Sequence, residues 1–443
     1  MIDWHWARLL AAALACFAGA AQAKLEVDQW RAESGARVLF VEGRSIPMVD
    51  ISVEFPAGSA YDPPGKSGLA RLANDLLKAG SARTGEAELG RRFADIGAEI
   101  GHSFDRDRAG ASLRTLSAAR ELNAAVAALA EMLSAPAFPQ SAFAREKARL
   151  TAHVREAETR PDQLAERRLW ALMYRGHPYG ASPTSESVAA IERADVARFH
   201  RAHYWAEGAV VTIVGDLSRA QAAALAARIT GPLVFSAEGS RAGGEASGRP
   251  GPVAPAGGGV VALPHPAGQS HLLLGLPAVA RDDPDYFPLF VGNYVLGGGG
   301  FVSRLYSEVR EKRGYAYNVY SYFQPLERPG PFLLGLQTRK DQTEEALAAA
   351  RSVLEEFIAR GPSEAELKAA KNGLGSGFPL RIDSNRKILA QLAMVGFYGL
   401  PVTWIEDFVA NVRRVTLPEV KSAFARRIDL SRLATVIIGA PEK

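Results

Sequence analysis

Apolar periodicity runs along the chain until Ser236 and resumes after Gly259; the stretch between reads SAEGSRAGGEASGRPGPVAPAGGG. Small, flexible and helix-breaking residues of this kind cannot bury a common face, so the segment 236–259 is expected to be a linker. It separates residues 24–235 from residues 260–443, two blocks that are each long enough for a domain. The blocks echo one another. Val211-Thr212-Ile213-Val214-Gly215 and Thr435-Val436-Ile437-Ile438-Gly439 are β-branched runs closing on glycine, 224 positions apart. Pro139-Gln140-Ser141-Ala142 and Pro362-Ser363-Glu364-Ala365 open helices at an offset of 223, and Asn74 to Gly80 lies opposite Asn293 to Gly299 at an offset of 219. Three landmarks in order at nearly constant spacing indicate a duplicated unit.

Within each block short alternating segments such as Val38 to Val41 and Asp50 to Phe55 predict strands, and Leu122 to Leu133 and Glu344 to Ile358 predict amphipathic helices. The elements do not alternate as strict βαβ units. The fold class is therefore α+β, with a mixed or antiparallel sheet packed by helices in each of two similar domains.

Met1 to Ala23 carries Arg8, an apolar run from Leu9 to about Ala21, and Ala21-Gln22-Ala23 before Lys24. That is the pattern of a secretory signal peptide with an A-x-A cleavage site, which predicts a periplasmic protein. Cys16, the single cysteine, falls inside this leader, so the mature chain is expected to have neither disulfides nor thiol catalysis. No later run is long enough for a transmembrane helix. The formal net charge of +4 comes from 52 basic and 48 acidic residues without like-charge blocks, which gives no footprint for nucleic acid.

The chemistry-bearing motifs are two. Ala57 to Ala70 reads AGSAYDPPGKSGLA and is followed by Arg71-Leu72-Ala73-Asn74-Asp75. The first stretch resembles the approach to the inverted zinc motif of insulinase/pitrilysin-type peptidases, in which H-x-x-E-H follows at once. Here the histidine positions carry Arg71 and Asp75, and the general-base position carries Asn74. A guanidinium has no lone pair to give a metal, and an amide cannot take a proton from metal-bound water. The family's third ligand, a glutamate on a helix of the form R-E-K-x-x-x-x-x-E, falls on His153. The resemblance thus implies no metal and no catalytic residue of the chain's own. One helical turn separates Arg71 from Asp75, and an ion pair between them is expected to fill the metal's place.

The second motif, Gly297 to Phe323, reads GGGGFVSRLYSEVREKRGYAYNVYSYF and is similar to the family's S-R-L-x-x-x-V-R-E-x-x-G-x-x-Y. That resemblance assigns Arg310 and Tyr317 to substrate binding. The glycines Gly297, Gly298, Gly299 and Gly300 resemble the glycine-rich loop of the non-catalytic subunit of mitochondrial processing peptidase. Residues 302–313 are expected to be helical, Gly314 a left-handed cap, and Tyr315 to Phe323 a strand, which lets Arg310 and Tyr317 converge on one peptide carbonyl. Gly176-His177-Pro178-Tyr179-Gly180 and Val214-Gly215-Asp216 are further landmarks of the family's first domain.

The family resemblance implies the mitochondrial-processing-peptidase-like metallopeptidase fold. It also implies a heterodimer with an H-x-x-E-H subunit that supplies zinc, and peptides as substrates. Two other classes stand beside it: a catalytically silent scaffold of the same fold, and an enzyme with an unrelated site. For the last, His200-x-x-His203 could place two imidazoles on one helix face, and they read as structural because no neighbouring carboxylate accompanies them. No G-x-S-x-G elbow is present, and the glycine run lacks the Lys-Ser/Thr of a phosphate loop.

Overall fold

The computed structural model describes residues 25–233, 250–254 and 257–440. The leader expected over 1–23 and most of the linker expected over 236–259 lie outside the described residues. In chain order the first half supplies β1 (Asp28–Arg31), β2 (Arg37–Glu42), β3 (Met48–Phe55), β4 (Glu99–Phe104), β5 (Ala109–Leu116) and β6 (Val210–Gly215). The second half supplies β7 (Gly259–Leu263), β8 (Gln269–Val279), β9 (Asn318–Phe323), β10 (Gly330–Arg339) and β11 (Ala434–Ile438).

The first sheet has the order β1-β2-β6-β3-β5-β4 and the second β7-β11-β8-β10-β9. With β1 set aside, both follow one plan: first, last, second, fourth and third strand of the half. Each contains one parallel pair, β2 with β6 and β7 with β11, and every other pairing is antiparallel. Two identical strand orders give the duplication a structural form, and the α+β class with mixed sheets holds. The landmark runs at 211–215 and 435–439 lie on β6 and at β11, the strands that take a central place in each sheet. Every residue of both strands is buried, as β-branched sequence with cover on both faces requires.

That cover is exchanged between the halves. The helix Pro161–Met173 of the first half packs on β8 and β11 of the second sheet, and the helix Asn385–Tyr398 of the second half packs on β2, β3 and β6 of the first. Ala165, Leu169, Trp170 and Met173 share one apolar core with Val436 and Ile438, while Leu389, Leu392 and Val395 share the other with Leu39, Val210 and Val214. Gly396 allows the close approach, because a Cβ there would stand 2.6 Å from Leu39 Cδ1. Fully burying a Leu or Val side chain stabilises by about 1.5–3 kcal/mol, so each half owes much of its core to the other.

A buried carboxylate adds a polar joint. Asp107, in the β4–β5 hairpin, accepts from the Tyr179 hydroxyl, from the Tyr398 hydroxyl at 2.9 Å and from the Glu327 N–H at 2.8 Å. Tyr398 and Glu327 belong to the second half, so the hairpin of the first sheet is tied to two segments of the other. Burial pushes the Asp107 carboxyl upward, against the pull of these donors.

Candidate functional site

The helix Leu69–Asp75 begins where Asp62 tells it to. One carboxylate oxygen accepts from the Gly68 N–H at 2.8 Å and the other from the Ala70 N–H at 2.6 Å, satisfying donors that a helix start leaves open. Burial raises the Asp62 carboxyl to about 7 although these N–H groups favour the ion. Leu69, Ala70, Leu72 and Ala73 face the core and Asn74 is wholly buried, which leaves Arg71 and Asp75 on the open face.

The expected ion pair is present: Arg71 Nε donates to Asp75 Oδ2 at 3.0 Å. A second guanidinium, Arg149 Nη2 on the helix Gln140–Thr159, reaches the same oxygen at 3.0 Å and turns its Nε to Glu146 at 2.6 Å. Arg71 also lies over the Phe104 ring, 5.3 Å from its centroid. His153 stands one turn beyond Arg149 and is exposed, and none of its contacts joins it to Asp75. Among the described residues no group of three or more His, Cys, Asp or Glu side chains could hold a metal ion.

These residues do not fit zinc. One ligand position offers a cation, and the other offers a carboxylate already held by two guanidiniums. The base position offers an amide whose own groups are engaged: Asn74 Nδ2 donates to the Ser103 carbonyl at 3.0 Å, and its Oδ1 accepts from the Tyr204 hydroxyl at 3.2 Å.

His102 on β4 is a neighbour that sequence reasoning missed. Burial pushes its imidazole pKa down, with Lys78, Arg71 and Arg149 adding to the effect and Asp75 opposing it. Its Nδ1 is buried without a hydrogen-bond partner. The signal that could have found it is the strand period of two, which sets His102 on the face of Phe104, beneath Arg71.

His200 and His203 are structural. His200 Nε2 bonds the Leu133 carbonyl at 2.9 Å and His203 Nδ1 the Pro56 carbonyl at 3.1 Å. Burial lowers each to about 4.

In the second half the glycine run is less free than a loop. The helix Tyr286–Asn293 passes into a π-helical turn, Tyr294–Gly298, and then a 3₁₀ turn, Gly300–Val302. A Cβ on Gly297 would lie 2.4 Å from Ser321 Oγ, so this glycine serves packing against β9. Gly300, at φ 60°, is the one of the four that is open and left-handed. The helix expected over 302–313 is shorter: after Ser303 it runs to Glu311, π-helical from Tyr306. Gly314 does take the left-handed conformation, at φ 65°, and the strand begins at Asn318 rather than Tyr315, leaving Tyr317 at the bend before it.

Arg304 of the S-R-L motif is consumed by structure, donating to both oxygens of Glu366 at 2.7 Å. Arg310 is not. Its guanidinium lies 4.9 Å from the Tyr317 ring centroid and 4.8 Å from that of Tyr306. The pair expected to converge side by side is therefore stacked, with the cation over the ring face.

Comparison with known proteins places the chain in a family. Residues 37–185 match the profile "Insulinase (Peptidase family M16)" and residues 190–374 the profile "Peptidase M16 inactive domain". A crystal structure of a peptidase M16 inactive domain from Pseudomonas fluorescens is 36% identical, with a TM-score of 0.88, over 94% of this chain and 98% of that one. A Helicobacter pylori protein named non-peptidase homolog YmxG is 26% identical over 92% of each chain. An uncharacterized zinc protease of Rickettsia bellii is 23% identical over 92% of this chain and 96% of its own.

Proposed function

Since the chain belongs to the M16 (insulinase) peptidase family yet lacks the donors for its metal, we propose that it is the non-catalytic, substrate-gripping subunit of a periplasmic heterodimeric zinc peptidase. The zinc, the water and the general base come from a homologous H-x-x-E-H subunit, and peptides or unfolded polypeptides are the substrates. The observation that carries this reading is a contrast within one chain. At the erased metal positions Asp75 is held by Arg71 and Arg149, whereas Arg310 in the second motif keeps its guanidinium clear of any acid among the described residues. A cation lying over two tyrosine rings and without an ion pair among the described residues suits a peptide oxygen and the negative charge that grows there during attack. The leader over residues 1–23 supports export to the periplasm.

Co-purification with an H-x-x-E-H homologue and a peptide assay test the reading. Arg310→Ala and Tyr317→Phe in this chain are expected to lower turnover of the mixture by about tenfold or more. Full turnover with both variants would reduce the chain to a scaffold.

A further inference from the structure

Arg310 sits in a row of aromatic groups that the two-residue motif does not include. Phe301 meets Tyr306 edge to face at 4.9 Å and 84°, Tyr306 covers one side of the Arg310 guanidinium, and Tyr317 also stacks on it. Phe301, Val302 and Tyr317 are 75%, 72% and 75% exposed, three of the most exposed large apolar side chains in the described chain. Such exposure is costly unless the patch meets something.

The charge around this row is arranged to leave Arg310 unpaired. Glu308, one of two acids on the same helix, is held by Lys312 at 2.5 Å and by Arg313 at 2.8 Å. Glu311, the next residue, is exposed and has no ion pair among the described residues. Arg310 itself makes no side-chain hydrogen bond to a described residue. A guanidinium packed against two rings is weakly hydrated where they cover it, so its N–H edge is what remains to bind, and that edge matches a carboxylate with two parallel hydrogen bonds.

We propose that this row is a binding site for the free C-terminal carboxylate of a peptide, with Arg310 taking both oxygens, Tyr306 acting as a positioning residue, and Phe301 receiving an apolar terminal side chain. The inference rests on the peptide-gripping role given above: the carbonyl that Arg310 holds during attack becomes the C-terminal carboxylate of the released fragment, and that fragment is the ligand. Peptides generated by cleavage carry such a terminus.

Three fluorescein-labelled nonapeptides ending in Phe test it against the full chain by anisotropy: the free acid, the C-terminal amide of the same sequence, and that amide with one internal residue next to Phe changed to Glu. The expected result is binding of the free acid about tenfold tighter than of either amide. That gap should vanish in Arg310→Ala, narrow in Arg310→Lys and Tyr306→Ala, and return in Tyr306→Phe. Equal binding of acid and amide, with Arg310→Ala weakening both, would overturn the carboxylate site and leave the peptide-gripping role intact. An internal Glu that restores the amide's affinity would overturn the terminal assignment in favour of acidic side chains. Failure of all three peptides to bind would overturn this inference and the gripping role together.

Discussion

Asn74 and Asn293 occupy the same place in the two halves, and each donates its side-chain amide to the backbone carbonyl of a strand serine, Ser103 at 3.0 Å and Ser321 at 2.9 Å. The position at which the family keeps a general base has thus acquired the structural pin of the metal-free half. Asn74 makes the same kind of bond as Asn293 and pins its helix to the sheet.

Returning the glutamate should therefore be harmful. Asn74→Glu removes the Nδ2 donor, places an acceptor against the Ser103 carbonyl in a site closed to water, and forces an extra methylene in beside the Tyr204 hydroxyl. The expected loss is about 3 kcal/mol or more, as for a buried charge without a partner. Equilibrium urea unfolding measures it, and a loss below about 1 kcal/mol would contradict the pin.

Asp75→Ala should cost little. Its partners Arg71 and Arg149 are 47% and 58% exposed, so solvent screens both pairs. A double-mutant cycle of Asp75→Ala with Arg71→Ala is expected to give a coupling of about 0.3–0.5 kcal/mol that fades in 1 M salt. A large, salt-insensitive coupling would show a tightly held pair and contradict this reading.

Acid should weaken the fold through His200 and His203. Both folded pKa values, at about 4, lie below the ordinary value of 6.5, so the folded state resists the proton. Their stabilisation is fully present above about pH 6.5 and is lost as pH falls through 4, by on the order of 3 kcal/mol for each. Asp62, raised to about 7, acts in the opposite sense, its contribution being lost as pH rises toward 7. The histidine effect is isolated by comparison with His200→Gln: the stability gap between wild type and variant should narrow from pH 6.5 to 4. A gap independent of pH would contradict a buried neutral imidazole.

The exchanged helices predict that neither half folds alone. A chain ending at Leu233 keeps Trp170 and Met173 without the second sheet they cover, and leaves β6 without the helix Asn385–Tyr398. It should lack a cooperative unfolding transition, and adding the second half in trans should restore one. Cooperative melting of the isolated half would contradict the interlock.

Much of the first level was legible in the residues. The β-branched runs at 211–215 and 435–439 lie on β6 and at β11, strands buried at every position, as a run with no alternating polar face requires. The ion pair between Arg71 and Asp75 follows from helical spacing alone. The exchange of helices was not legible, since the apolar face of Pro161–Met173 says that it is covered without saying by which sheet. Nor was the approach of Arg310 to both Tyr306 and Tyr317: it occurs in a π-helical turn from Tyr306, which widens the helix where a regular pattern predicts none. His102 was missed because a lone strand histidine carries no motif, although its spacing to Phe104 fixed its face.

The central claim is that hydrolytic power reaches this protein from another polypeptide. Zinc content by atomic emission, together with cleavage of an unstructured peptide by the isolated chain, tests it most directly. The account predicts no stoichiometric zinc and no turnover until an H-x-x-E-H homologue is added. One equivalent of tightly bound zinc with turnover by the chain alone, both lost on Asp75→Ala, would contradict it.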